Sequence, residues 1–140
     1  MLARAHQRLI WERNRSVLRL RATLRDYFPG ALAAFADLAA PDTLELLARA
    51  PDPRAAARLS KAQITATLKR AGRRQVQRRA EEITAALRAP QLSQPAELTA
   101  AYAAAVTSLT QVIAAFSEQI GMLEQQVDAS FRRHTAAGST

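Results

Sequence analysis

Arginine is the residue whose numbers and spacing could do chemistry in this chain. Twenty Lys and Arg stand against twelve Asp and Glu over 140 residues, for a formal charge of +8 and a pI near 11.3. The densest set is Lys69, Arg70, Arg73, Arg74, Arg78 and Arg79. A guanidinium presents a fixed fork of donors that matches phosphate oxygens, and a cluster of them binds backbone charge wherever geometry allows. A second set, Arg4, Arg8, Arg15 and Arg19, is spaced by four and seven. On a 3.6-residue period those spacings nearly close, so the four share one narrow sector of a helix. Each set has a plainer reading as a solvated face, set beside the reading as phosphate contacts. Trp11, the sole tryptophan, reads as a partly buried anchor, with a base-stacking platform as the alternative.

Charge is also unevenly placed along the chain. Residues 49–90 carry eleven Lys or Arg against three acids, a net of +8, while 1–48 sum to +2 and 91–140 to −2. A polyanion, DNA or RNA, is the partner such a balance suggests.

Other chemistry lacks its residues. There is no cysteine, which removes disulfides, thiolate catalysis and cysteine-based zinc sites. No glycine-rich phosphate loop, His-x-x-x-His pair or serine elbow occurs. His6 and His134 lie near opposite ends, without ligand spacing. Asp26, Asp37, Asp42 and Glu45 fall at expected helix ends, where the macrodipole and orphan amides account for them. No catalytic residue, metal ligand or cofactor is therefore assigned. The first ten residues, with Arg4, His6 and Arg8, have no signal-peptide core, and no run of eighteen apolar residues exists. No membrane contact is expected, and the cytoplasm is the default compartment.

The elements that must position these residues are all helices. Aromatics make up 5% and much of the 49% apolar share is Ala, a composition that suits helices and not sheets. The predicted fold is all-α, with short helices followed by a long coiled-coil-type helix in a hairpin or bundle. Four segments are expected: an amphipathic helix in 1–28, short helices in the basic stretch 29–90, the long helix in 91–134, and a flexible polar tail at 135–140. The first helix, 2–26, has a seam of Ile10, Val17, Leu20, Leu24 and Tyr27, interrupted by Arg13. About two turns are predicted over 31–38. Asp42-Thr43-Leu44-Glu45 has the pattern of a capping box, and Pro51 and Pro53 predict an extended link. Ser60 to Gln63 is a second capping box, and Gly72 stands where a left-handed residue ends the helix. A further helix is predicted over 74–88. This helix–glycine–helix corner is weak evidence for helix-turn-helix readout, because the turn is tight and the motif alone is not specific.

After Pro95, Val106, Ile113, Ile120 and Val127 repeat every seven residues, with Tyr102, Leu109, Phe116 and Leu123 between them. β-Branched residues at one seam position, with Leu at half of the other, favour a parallel two-stranded coiled coil. Flanking positions are mostly neutral, so charge does little to choose the partner. Three partners stay open: helices of the same chain, a second copy in a homodimer, or another protein.

Several stretches together resemble a known family. They are Ala5-His6-Gln7-Arg8-Leu9-Ile10-Trp11-Glu12-Arg13, Leu18-Arg19-Leu20-Arg21 and Leu24-Arg25-Asp26-Tyr27-Phe28-Pro29 near the start. Leu46-Leu47-Ala48-Arg49-Ala50-Pro51, Ala57-Arg58-Leu59-Ser60 and Leu68-Lys69-Arg70-Ala71-Gly72-Arg73-Arg74 follow, with Phe131-Arg132-Arg133-His134 at the end of the long helix. These are similar to the central segment of the IS-one-ten (Piv-like, DEDD-type) insertion-sequence transposases. The resemblance implies a helical, coiled-coil region between a metal-binding four-acid domain and a serine-nucleophile domain. Neither catalytic set has counterparts here, so the resemblance implies a fragment that pairs subunits and contacts DNA or guide RNA. A divalent metal would belong to the missing catalytic domain.

Overall fold

In the computed structural model, which describes residues 2–138, the chain forms seven helices and no strand. They are α1 (Leu2–Tyr27), α2 (Pro29–Ala34), α3 (Pro41–Arg49), α4 (Pro53–Ala57), α5 (Lys61–Arg70), α6 (Val76–Arg88) and α7 (Ala96–Gly138). The protein is all-α, as its composition predicts.

α1 and α7 form the frame. Leu20, Leu24 and Tyr27 of α1 are buried, as are Val106, Ile113 and Ile120 of α7. Tyr27 stacks on Tyr102, while His6 near the other end of α1 meets Glu124 at 3.0 Å. The two helices therefore run antiparallel, and at 1.5 Å per residue α7 is roughly 65 Å long against roughly 39 Å for α1. Of the three partners open to the α7 seam, the structure seats α1 of the same chain, antiparallel where the β-branched pattern had favoured a parallel pair. Residues 135–138 continue α7, where a flexible tail was expected. The remaining tail residues, 139–140, lie outside the described residues.

The short helices fill the base of this hairpin. Phe28, Leu38, Leu46, Leu47, Ile64 and Leu68 are almost wholly buried in one cluster with Ile83, Leu87 and Val106. Each such side chain contributes about 1.5–3 kcal/mol by leaving water. α3 packs on both α5 and α7, and α6 packs on α2, α4 and α5. Tyr27 joins the layers, because its hydroxyl also donates to the Pro51 carbonyl.

Local rules explain most boundaries. Ser60 accepts from the Gln63 amide while the Gln63 side chain accepts from the Ser60 amide, closing a capping box on α5. Gly72 ends α5 with a φ of 72°, its N–H on the Lys69 carbonyl and the Arg73 N–H on the Leu68 carbonyl. That is the Schellman arrangement, and glycine adopts its left-handed backbone at little cost.

Three local expectations are corrected. α3 begins one residue before the expected cap: Ala40 is its N-cap and Pro41 its first residue. Proline is pre-organised for that position, so Asp42 falls inside the first turn and makes no capping box. Asp52 accepts from the Ala55 amide and starts α4, where an extended link was predicted. α2 ends at Ala34, because Phe35 turns extended and Asp37 then bonds the Ala39 amide in a local turn.

Candidate nucleic-acid interface

The corner between α5 and α6 divides its arginines into two kinds. Arg73 Nε and Nη2 each lie 3.1 Å from a different carboxylate oxygen of Asp42, which is only 2% exposed. Hydrogen bonding and charge from Asp42 raise the Arg73 pKa further above its ordinary value. Arg70 meets Glu45, so the acid expected to cap α3 binds a cation on α5 instead. These two side chains pin α5 and the corner onto α3.

The remaining cations of the cluster face outward. Lys69, Arg74 and Arg78 are exposed, and Arg78 lies 3.6 Å from Glu82 one turn along α6. Arg79 is half-buried, and its Nε is buried without a hydrogen-bond partner. The predicted six-residue patch is thus narrower as a free surface, because Arg70 and Arg73 are held by acids.

On α1, Arg4, Arg8, Arg15 and Arg19 are all exposed, on the side away from buried Ser16, Leu20 and Leu24. Arg15 lies 3.8 Å from Glu12, and Arg4, Arg8 and Arg19 have no ion-pair partner among the described residues. Trp11 stands in the same row, 61% exposed, with the Arg15 guanidinium carbon 5.2 Å from its ring centroid. The anchor reading of Trp11 is therefore overturned. The signal was in the spacing: Trp11 is seven residues from Arg4 and four from Arg15, which places it in the arginine sector and off the seam.

Two grooves lie along α1. One, of about 430 Å³, is lined by Arg4, Gln7, Arg8, Ile10, Trp11 and Asn14. The other, of about 530 Å³, lies where Arg13 and Asn14 of α1 face the start of α3 and the Ala71–Arg73 corner. Asn14 lines both, while Lys69, Arg74 and Arg19 line neither. Arg13, which breaks the α1 seam, is half-buried at this junction with its Nε unpartnered.

The seam residues are graded along α7. Val106, Ile113 and Ile120 are buried, Tyr102, Leu109, Phe116 and Leu123 are half-buried, and Val127 is 42% exposed. Met122 and Phe131 are also exposed near that end. Among the described residues, no group of three or more His, Cys, Asp or Glu could hold a metal ion.

No family model and no solved structure matches the chain. Over 77 residues it is 44% identical to a Streptomyces coelicolor protein described as a candidate mini-circle transposase for IS117. The aligned part is 52% of this chain and 19% of that relative, so the chain spans about a fifth of the relative's length.

Proposed function

We propose that this chain is a helical, nucleic-acid-binding segment of an insertion-sequence transposase, not catalytic by itself. The observation that carries the reading is that exposed cations of the α1 row and of the α5–α6 corner lack ion-pair partners among the described residues. Arg4, Arg8 and Arg19 lie along α1, and Lys69 and Arg74 lie at the α5–α6 corner. Exposed cations left unpaired on two elements suit a phosphate backbone. Similarity to part of a candidate transposase supports DNA as that backbone, and the IS-one-ten resemblance adds guide RNA as the other. The IS-one-ten resemblance would place the cleavage chemistry, and any divalent metal, in domains outside these helices.

Subunit pairing is the second role that the resemblance suggests. With α1 seated on most of the α7 seam, pairing would use the end that bears Met122, Val127 and Phe131. α7 is long and apolar enough to cross a bilayer by length and composition alone. The α1 helix packed along it carries seven arginines, whose transfer into lipid is costly, so we read α7 as a core helix of a cytoplasmic protein.

Fluorescence anisotropy of labelled duplex DNA and structured RNA, titrated with the chain, tests the proposal. Micromolar or tighter binding that weakens steeply with salt supports it. Absence of binding to either at low salt would reduce the basic face to a solvated surface and leave a structural helical adaptor.

A further inference from the structure

We infer that Trp11 is a stacking platform for an unpaired base, and that the α1 groove binds single-stranded nucleic acid. The inference rests on the proposed nucleic-acid role and adds to it the kind of strand that this face takes.

The position of Trp11 is unusual for the largest apolar side chain in the protein. It is 61% exposed although a buried seam runs along the same helix. The Arg15 guanidinium carbon lies 5.2 Å from its ring centroid. A cation against one side of an indole leaves the opposite side as a flat apolar surface, and every base offers a matching π-face. Arg8 and Arg4 lie about one and two turns from Trp11 toward the N-terminus of α1, bordering the same groove. They are placed to hold phosphates of a strand that runs along that side of the ring. Gln7 and Asn14 line the groove beside the ring and offer amide donors and acceptors to a base edge.

Duplex DNA can meet the arginines but cannot stack on Trp11, since its bases are stacked on one another and present only their edges in the grooves. An aromatic ring surrounded by arginines is instead the arrangement that takes unpaired bases with little sequence preference. DNA and RNA single strands share that chemistry.

The sole tryptophan makes the test direct. Twelve-residue single strands of deoxythymidine and of uridine are titrated into the chain, following oligonucleotide anisotropy and Trp11 emission in parallel. Stacking quenches the emission along the binding isotherm, and the strand that quenches, DNA, RNA or both, identifies the source. Trp11→Ala should weaken single-strand binding roughly tenfold and leave the salt slope unchanged, because stacking releases no counterions. Trp11→Phe should recover most of the loss. Binding with neither quenching nor an effect of Trp11→Ala would overturn the platform while leaving phosphate contact intact. Failure of both single strands to bind while duplex DNA still binds would overturn this inference and leave the proposed function standing. Failure of single strands, duplex DNA and structured RNA alike would overturn both.

Discussion

Arg73 holds Asp42 through two parallel 3.1 Å hydrogen bonds across 31 residues of sequence. A side chain that looks like the centre of a phosphate-binding cluster is thereby committed to fixing the α5–α6 corner on α3. Arg73→Gln strands a carboxylate that is 2% exposed. Removing one partner of a fully buried pair costs about 3–5 kcal/mol; Arg73 reaches solvent, so about 2 kcal/mol is expected. Urea unfolding should show a lower midpoint at unchanged slope, and Asp42→Asn in the same chain should restore part of the loss.

Ile113 tests the hairpin. It is fully buried, and Ile113→Asp should cost several kcal/mol by placing a carboxylate in an apolar layer. Gln111, two residues earlier and exposed, should tolerate Asp at a cost of a few tenths of a kcal/mol. Because α1 supplies the cover, the melting temperature of the unmodified chain should stay constant over a hundredfold dilution. A midpoint that rises with concentration would transfer the seam to a second copy.

Tyr27 makes stability depend on alkaline pH. Burial first, and then the Asp52 carboxylate, push its phenol well above the ordinary value near 10. The folded state therefore keeps the proton when the unfolded chain has lost it. The stabilisation is complete below pH 10 and declines as pH rises above it. Tyr27→Phe should flatten that decline while lowering stability at neutral pH through loss of the bond to Pro51. An unchanged alkaline slope in Tyr27→Phe would refute this.

These residues also show what the sequence could tell. The Ser60–Gln63 box and the Gly72 cap were legible because their partners lie within five residues. The seam of α7 was legible from its period, but its partner was not, since neutral flanks leave α1 and a second copy equally acceptable. Asp42 and Glu45 were misread for the opposite reason. Their cations, Arg73 and Arg70, come from 31 and 25 residues away, and Pro41 moves the helix start. Within the candidate site, the exposed row on α1 followed from spacing alone. The division of the corner into held and outward cations required the tertiary fold. The size of Trp11 suggests an anchor, because large aromatics are usually covered, although its helical sector belongs to the arginines.

The central claim is that the unpaired cations of α1 and the corner bind nucleic-acid phosphates, and the salt dependence of binding measures it most directly. Arg4, Arg8, Arg19, Lys69 and Arg74 are replaced together by Gln, which keeps helix propensity nearly constant, with circular dichroism confirming the fold. Each phosphate contact contributes roughly 0.9 to the slope of log affinity against log salt for duplex DNA. The replacement should flatten that slope by about 4, whereas Arg73→Gln should change it by less than about 1. A slope that stays the same in the five-residue variant would contradict the account.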